Sequence, residues 1–297
     1  APIYQLGLIP SFVDVEMNKF IVDIKKIEKN INKKTKAIMI PNLLGNIPNF
    51  KEIYKIAKKH NLKVIEDSAD TIGYSVKGKN FGKYSDVSTT SFYASHVITA
   101  GGMGGMVMFN KKEHMERALM FRDWGRIGDN SENMDERFAH DVDGIPYDYK
   151  FLYGVLGYNM KCAEANAAFG LVQLEKFQTF KDIRRANIER YLENLKGVEE
   201  ILLPDDSIEP NWLAIPLQTE NRLELLRFLE DNNIQTRVTF AGNVTRHPVY
   251  RKYLQDFEVA DTVMKNGFLL GAHHGMNLDD VDYVCDKIKE FFNEKRK

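Results

Sequence analysis

Hydrophobic residues in the first two-thirds of the chain follow two alternating patterns. Short apolar runs, which are typical of buried strands, alternate with segments in which apolar residues recur every three or four positions, as on one face of a helix. The runs predict strands at 37–40, 62–65, 87–92 and 105–109, and the spaced segments predict helices at 23–32, 50–60 and 111–121. Strands that alternate with helices indicate an α/β fold, with a mostly parallel sheet covered by helices on both faces.

The rest of the chain is organised differently. Residues 121–149 are polar and rich in Asp, Asn and Gly, so we expect a long irregular loop, which in a compact domain is usually functional or mobile. A strong helical pattern begins at Ala163 and continues through Tyr191. Beyond it, the pattern predicts strands at 212–218 and 235–240 and helices at 221–232 and 278–294. We therefore predict a large domain at 1–194 and a small C-terminal α/β domain at 195–297.

The composition favours a folded soluble protein and argues against nucleic-acid-binding and membrane-spanning classes. The 297 residues are 43% hydrophobic and 28% charged, as expected of a folded soluble protein, and the net charge of -1 argues against a nucleic-acid partner. No apolar run is long enough to span a bilayer, and residues 1–10 lack the features of a signal peptide, so we expect a cytoplasmic enzyme.

Residues 3–15 resemble the middle of an α/β unit and no Met precedes them, so we expect a missing N-terminal segment; a processed terminus is the alternative.

The two cysteines contribute no obvious chemistry. Cys162 and Cys285 lie far apart in the sequence and form neither a metal-binding nor a redox motif. A disulfide framework is typical of shorter, cysteine-rich secreted chains. We therefore expect no metal site and no structural disulfide, and we look for candidate chemistry at the ends of the predicted strands, where open α/β sheets form their binding sites.

The first candidate is a carboxylate directly after a predicted buried strand, in the segment Lys63-Val64-Ile65-Glu66-Asp67. A carboxylate at this point can face a cofactor. Beside a pyridine ring it would keep the ring nitrogen protonated, so that the ring acts as an electron sink. Asp67 is therefore a candidate cofactor ligand; taken alone, a helix cap or a solvated loop acid is the alternative.

The second candidate follows the next strand. The segment Ser91-Phe92-Tyr93-Ala94-Ser95-His96 leads into a glycine-rich stretch at 97–105. A hydroxyl at a strand end and a glycine-rich backbone both suit a phosphate group. Taken alone, however, the glycines can simply mark a turn, and a single histidine is more often a structural residue than a catalyst.

Several motifs occur together along the chain. They are, in order, Glu66-Asp67, Gly82-Lys83-Tyr84-Ser85-Asp86, Ser91-Phe92-Tyr93, Gly104-Gly105, Phe121-Arg122-Asp123-Trp124-Gly125-Arg126, Leu156-Gly157-Tyr158-Asn159-Met160-Lys161 and the segment 240–248. This set resembles the DegT/DnrJ/EryC1/StrS family of sugar aminotransferases, and the resemblance covers nearly the whole chain. It implies a fold-type I pyridoxal-phosphate enzyme, similar to aspartate aminotransferase in fold, that acts on nucleotide-linked sugars.

The resemblance also implies roles for individual residues. Asp67 matches the aspartate that binds the pyridine nitrogen, and Ser91 matches a serine that binds the cofactor phosphate. Asp70 matches a position typical of one subset of the family, and we expect it to contact the cofactor. Asn159 matches the asparagine that reaches the phosphate of the neighbouring subunit, which implies a homodimer with shared active sites.

Two further residues are candidates for contacting the substrate. Arg246 lies in the segment 241–248, which matches the same subset, and we expect it to contact the sugar nucleotide. His273 lies in Gly271-Ala272-His273-His274-Gly275, which departs from the family pattern because a proline usually stands where His274 does. We consider His273 a candidate for contacting the sugar or the cofactor; a loop histidine without a role is the alternative.

His96 occupies the position at which the aminotransferases of the family carry a lysine. A lysine amine binds the cofactor aldehyde covalently, whereas an imidazole forms no such stable linkage but is a good general base near neutral pH. The subset with this substitution consists of 3-dehydratases of 4-keto-6-deoxy nucleotide sugars. The resemblance therefore implies that pyridoxal or pyridoxamine phosphate is held without a covalent bond, and that His96 removes a proton from the C4′ carbon as the sugar loses its C3 hydroxyl.

Two branches of this subset differ in how the reaction finishes. One branch uses an iron–sulfur cluster, whose cysteines lie mostly just after the motif at 121–126. Residues 127–137 contain no cysteine, and two cysteines in the chain cannot supply four thiolate ligands. The sequence thus resembles the cluster-free branch, typified by the GDP-4-keto-6-deoxymannose 3-dehydratases, which uses glutamate to regenerate the amino form of the cofactor.

Two other functions stay open at this point. The chain could be a nucleotide-sugar aminotransferase whose lysine has been replaced, in which case His96→Lys should restore transamination of a 4-keto sugar. It could also be a non-catalytic sugar-binding homologue, in which case the purified protein should not bind pyridoxamine phosphate.

Overall fold

The computed structural model describes residues 1–76, 79–128, 130–205 and 212–296. Its helices are α1 (Pro2–Gln5), α2 (Ile24–Ile27), α3 (Phe50–Lys59), α4 (Lys112–Arg122), α5 (Met134–Arg137), α6 (Glu164–Leu195), α7 (Arg222–Asp231), α8 (Glu258–Asn266) and α9 (Leu278–Arg296). Its strands are β1 (Ala37–Pro41), β2 (Lys63–Asp67), β3 (Ser75–Val76), β4 (Lys79–Asn80), β5 (Val87–Ser91), β6 (Gly105–Phe109), β7 (His140–Val142), β8 (Ile145–Tyr147), β9 (Ala214–Gln218), β10 (Thr236–Val238) and β11 (Gly267–Gly271).

Four strands form the larger sheet, in the order β1-β2-β5-β6. Strands β1, β2 and β5 are parallel, with Asp67 opposite both Pro41 and Thr89, and β6 runs antiparallel to β5. The prediction of an α/β fold with a mostly parallel sheet is confirmed. The register brings the carboxyl ends of three neighbouring strands to one edge, which is where binding sites form in open α/β sheets.

Helix α3 packs with this sheet because its sequence places apolar side chains at helical spacing. Phe50, Ile53 and Ala57 are buried and share one hydrophobic cluster with the buried residues of β1 and β2. The helix begins after Asn49, whose side chain accepts a hydrogen bond from the Glu52 N–H at 3.4 Å and so satisfies one free donor of the first turn.

A second sheet lies in the C-terminal part of the chain. Its strands are antiparallel, in the order β10-β11-β9. The core around it includes Tyr191, Trp212, Ile215, Leu217, Leu225, Phe268 and Ile288. Leu44, from the turn after β1, is fully buried in the same core. Since this core joins residues from both sides of position 194, the predicted domain boundary there stays a prediction.

Helix α6 is 32 residues long and connects the two parts of the chain. Its first half leaves apolar side chains exposed, among them Phe169 and Leu171. Its second half buries a stripe at three- or four-residue spacing: Arg184, Asn187, Ile188, Tyr191 and Leu195. In the described ranges, neither this helix nor any other combines the length and hydropathy that a membrane-spanning segment requires.

The stretch at 121–149 is more ordered than its composition predicts. It contains helix α5 and the hairpin β7–β8, so the prediction of an irregular loop is wrong for these residues. The hairpin turns at Asp143 and Gly144, where φ is 54° and 83°, and Asp-Gly favours such a turn. The hydrophobic pattern misses both strands because each has only three residues, whereas a recognisable alternation needs about four or more.

Candidate active site

The two acidic residues at the end of β2 have different surroundings, because successive residues of a strand point to opposite faces. Glu66 is 1% exposed, and its carboxylate accepts hydrogen bonds from Asn42 Nδ2 at 2.9 Å, the Gly82 N–H at 2.7 Å and Ser85 Oγ at 3.1 Å. These donors satisfy the buried carboxylate and tie the ends of β1 and β2 to the turn before β5. Glu66 is thus an anchor of the sheet edge.

Asp67, the last residue of β2, is only partly buried. Its Oδ1 accepts a hydrogen bond from the Ala69 N–H at 3.2 Å and lies 3.5 Å from Thr89 Oγ1. Its other oxygen has no partner among the described contacts. A carboxylate held by backbone on one oxygen and open on the other fits the predicted role, which is to accept a hydrogen bond from a protonated ring nitrogen.

Asp70 lies in the turn after β2 and is 8% exposed. Its Oδ2 accepts a hydrogen bond from the Leu44 N–H at 2.9 Å, and its Oδ1 lies 3.6 Å from His96 Nε2. Burial raises the pKa of Asp70 and the charge of Asp67 adds to this, whereas the Leu44 N–H, His96 and Arg184 act in the opposite direction. The structure therefore pairs Asp70 with His96, a contact that the sequence does not predict, and the predicted contact of Asp70 with the cofactor stays a prediction.

His96 lies in the turn after β5, where its backbone N–H donates to the Tyr93 carbonyl at 3.0 Å. The Tyr93 ring packs edge-on against the imidazole, with ring centroids 5.9 Å apart. The imidazole Nδ1 is buried and has no hydrogen-bond partner among the described residues. Such a nitrogen is placed to exchange a proton with a bound molecule. We call Asp67, Asp70 and His96 the site cluster.

Ser91 ends β5 at the same edge of the sheet as Asp67. Its Oγ accepts a hydrogen bond from the Tyr93 N–H at 3.2 Å. The turn that follows is shaped by glycines, since Gly102 and Gly104 have φ of 92° and 117°, which other residues rarely adopt. The position of Ser91 therefore agrees with the predicted phosphate contact, which itself stays a prediction.

Arg184 of α6 is a buried cation near the site cluster, and no motif in the sequence singles it out. It is 3% exposed, its Nη1 donates to the Leu213 carbonyl at 2.6 Å, and its Nε has no partner among the described residues. Burial lowers the pKa of Arg184, and the charge of Asp70 opposes this effect. The sequence does carry one indication of its burial. Arg184 lies on the same face of the helix as Ile188 and Tyr191, where the helical spacing predicts an apolar residue.

The loop after β11 places His273 and His274 beside α6. His274 stacks on Phe180 with ring centroids 3.7 Å apart, and both histidines are exposed. Burial lowers the pKa of His274, and the charges of Arg184 and His273 act in the same direction. Among the described contacts, none joins His273 to the site cluster, so its predicted contact with the sugar or cofactor stays a prediction.

Two other predicted site residues lie apart from the site cluster. Asn159 is exposed and forms an antiparallel bridge with Asp123. Arg246 Nη2 donates to Asp261 Oδ2 and Asp256 Oδ1, both at 2.8 Å, and these contacts raise the pKa of Arg246. No contact in the described part of the chain connects Asn159 or Arg246 with the site cluster. Their roles therefore stay predictions.

Comparison with known proteins settles the family. A model of the family matches residues 1–289, which is almost the whole chain. The chain belongs to the DegT/DnrJ/EryC1/StrS aminotransferase family. The resemblance inferred from the motifs is thereby confirmed, together with the family's fold.

Two curated relatives illustrate what the chain is similar to. The lipopolysaccharide biosynthesis protein RfbH of Salmonella typhimurium is 38% identical over 98% of this chain and 70% of its own length. A dTDP-4-dehydro-2,6-dideoxy-D-glucose 3-dehydratase of Saccharopolyspora spinosa is 36% identical over 98% of this chain and 66% of its own length. This chain thus spans about two-thirds of each relative, as those shares give it.

A solved structure also resembles this protein closely. It is the Escherichia coli GDP-4-keto-6-deoxy-D-mannose 3-dehydratase with bound hydrated pyridoxal phosphate. The two are 26% identical in sequence and superpose with a TM-score of 0.84, over 97% of this chain and 76% of the other. The likeness includes the larger sheet and the C-terminal unit, because nearly all of this chain is covered.

Proposed function

We propose that this protein is a pyridoxal/pyridoxamine-phosphate-dependent 3-dehydratase that removes the C3 hydroxyl of a 4-keto-6-deoxy nucleotide sugar. The observation that carries the proposal is the place of His96. It follows β5 where the aminotransferases of the family are expected to carry lysine, and its imidazole lies 3.6 Å from the Asp70 carboxylate. The name of RfbH supports a role in lipopolysaccharide biosynthesis, and the names of the two 3-dehydratases support removal of a C3 hydroxyl.

Residues at the edge of the larger sheet suit the cofactor. Asp67 would hold the ring nitrogen through its open carboxylate oxygen, and Ser91 would bind the phosphate at the end of β5. The unpartnered Nδ1 of His96 is the buried polar atom that a bound molecule would satisfy. When bound, the cofactor supplies an amino group and an electron sink.

The protein's own contribution to the reaction is proton transfer and orientation. An imidazole forms no stable bond with the aldehyde form of the cofactor, so neither form would be held covalently and the amino form can serve as the resting partner of the enzyme. His96 would take the proton at the C4′ carbon, and Asp67 would keep the ring nitrogen protonated. Glutamate, as an amino donor, would restore the amino form for the next turnover.

Cofactor attachment tests this proposal directly. We expect that borohydride treatment of the protein loaded with pyridoxal phosphate will leave no reduced cofactor on any lysine, because His96 replaces the lysine that would bind it. The matched control is His96→Lys, which should acquire a labelled lysine at position 96. Peptide mapping by mass spectrometry reads both results, and a pyridoxyl-lysine in the unaltered protein would contradict the assignment of His96.

We also propose that the protein is a homodimer with shared active sites, in which Asn159 reaches the cofactor phosphate of the partner. Apolar side chains around Asn159 are exposed, and Leu156 is 96% exposed. The neighbouring exposed apolar residues are Tyr153, Tyr158, Met160, Phe169, Leu171 and Val172. A patch of this kind is more typical of an interface than of a free surface.

Sedimentation velocity tests the dimer. We expect a dimer for the unaltered chain and a shift toward monomer for Leu156→Asp, since a carboxylate at the most exposed of these apolar positions has to be desolvated on association. Leu223→Asp is the matched control, because Leu223 is an exposed leucine on α7, away from the patch, and should not affect association. A monomeric unaltered protein at micromolar concentration would rule the shared site out.

A further inference from the structure

The two nitrogens of the His96 imidazole have different surroundings. Nε2 lies 3.6 Å from Asp70 Oδ1, whereas Nδ1 is buried without a partner among the described residues. A neutral imidazole carries one N–H and one lone pair, and the hydrogen-bonding surroundings of one nitrogen decide where the proton resides. We propose that Asp70 is a positioning residue that keeps the proton on Nε2 of His96, so that Nδ1 is the basic nitrogen. The inference rests on the proposed function, in which His96 is the base.

The position of the Asp70 carboxylate is itself fixed by the turn after β1. The Leu44 N–H donates to Asp70 Oδ2 at 2.9 Å, which leaves Oδ1 toward His96. Leu44 has φ of 63°, a left-handed conformation that is rare for a residue with a branched side chain. Conformations of this kind persist when the surrounding structure holds them in place.

The surroundings that hold Leu44 belong to the C-terminal unit. Its side chain is fully buried in the core of that unit, and its carbonyl accepts a hydrogen bond from the Leu213 N–H at 2.8 Å. The Leu213 carbonyl in turn accepts from Arg184 Nη1 at 2.6 Å. A continuous set of contacts thus runs from the buried core through the strained turn to the carboxylate that faces His96.

The charged and titratable groups around this pair are few among the described residues. Asp67 and Arg184 act on Asp70 from the end of β2 and from α6, with opposite signs. Tyr93 packs edge-on against the imidazole from the turn after β5. Of these groups, only Asp70 lies within ion-pair distance of His96 Nε2 in the described contacts. Asp70 is therefore the group that distinguishes one nitrogen of the imidazole from the other.

The carboxylate is poorly suited to a purely structural role. Because burial raises the pKa of Asp70, the native state binds its proton more tightly than the unfolded chain does. Its contribution to stability therefore falls as the pH rises through the interval above its ordinary pKa, and at neutral pH the ionised group disfavours folding. Asp70→Asn, which keeps an acceptor for the Leu44 N–H, should leave the melting temperature unchanged or raise it.

The experiment is a long-range ¹H–¹⁵N correlation spectrum of the full chain labelled at histidine nitrogens, with His96 assigned by its loss in His96→Asn. We expect the neutral His96 ring to show a protonated Nε2 and an unprotonated Nδ1. In Asp70→Asn the share of the Nδ1–H tautomer should increase. Asp14→Asn is the matched control, because Asp14 is also buried and accepts backbone N–H donors, and should leave the His96 signals unchanged.

Two outcomes overturn the inference. A neutral His96 with its proton on Nδ1 in the unaltered protein contradicts it without any variant, so the test does not depend on the folding of Asp70→Asn. A tautomer that is the same in Asp70→Asn as in the unaltered chain removes the role of Asp70. Failure of the proposed function would give a different result. The protein would then catalyse no dehydration even though the neutral His96 ring carries its proton on Nε2.

Discussion

His96→Asn is expected to lower the rate of dehydration by about 10²–10⁴-fold, which is the usual contribution of a positioned general base. Asparagine keeps a polar side chain of similar reach but has no basic nitrogen. The imidazole is partly exposed, and its Nδ1 has no partner among the described residues, so its loss should disturb little of the surrounding structure. Binding of pyridoxamine phosphate and of the sugar nucleotide should therefore stay nearly normal.

Hydrogen exchange at the C4′ carbon of the cofactor tests whether His96 is the general base or a residue without a role in proton transfer. In the unaltered protein this hydrogen should exchange with solvent deuterium when the sugar is bound, and in His96→Asn the exchange should stop together with turnover. His60→Asn is the matched control, because His60 also faces a carboxylate, Glu28, at 2.7 Å, but outside the site cluster. Exchange and turnover that both persist in His96→Asn would assign the proton to another group, such as His273.

Asp67→Asn is expected to lower turnover by about 10²–10³-fold, comparable to the removal of one preorganised electrostatic contact from an active site. An amide is neutral and cannot hold a proton on the ring nitrogen as a carboxylate does, so the ring loses its capacity as an electron sink. The fold should be retained, because the asparagine oxygen can still accept the hydrogen bond that Asp67 accepts from the Ala69 N–H. Steady-state kinetics and the circular dichroism of the variant measure the two effects separately.

The control for this variant is Asp141→Asn. Asp141 is an exposed acid of strand β7 whose carboxylate accepts a hydrogen bond from the Gly144 N–H at 2.7 Å, so the substitution makes the same chemical change outside the site cluster. It should leave turnover unchanged. If Asp67→Asn behaves like Asp141→Asn, Asp67 is an ordinary loop acid and the cofactor's ring nitrogen is held elsewhere.

Much of the fold can be predicted from the sequence where an element is long or its pattern is clear. The helix predicted at 50–60 is observed at Phe50–Lys59, and the strand predicted at 37–40 is observed at Ala37–Pro41. Strand β11, in contrast, is not predicted. It is buried at four of its five positions, but its apolar run, Phe268–Leu270, has only three residues, whereas a recognisable run needs about four or more.

Some residues of the candidate site can likewise be predicted from the sequence, and others cannot. Asp67 and His96 can be found from sequence because each lies in a local motif at the end of a predicted strand. The roles of Leu44 and Arg184 cannot, since both depend on contacts between segments that are distant in the chain. A left-handed leucine in particular leaves no mark on the hydrophobic pattern, because its φ is imposed by the core into which its side chain packs.

The central claim is the removal of the C3 hydroxyl, and the identity of the product tests it most directly. The full-length protein would be incubated with pyridoxamine phosphate, glutamate and a panel of GDP- and dTDP-linked 4-keto-6-deoxy sugars, and the products identified by mass spectrometry and NMR. We predict a 3-deoxy sugar that retains its 4-keto group. A 4-amino-4,6-dideoxy sugar that keeps its C3 hydroxyl would contradict the account and identify the protein as an aminotransferase.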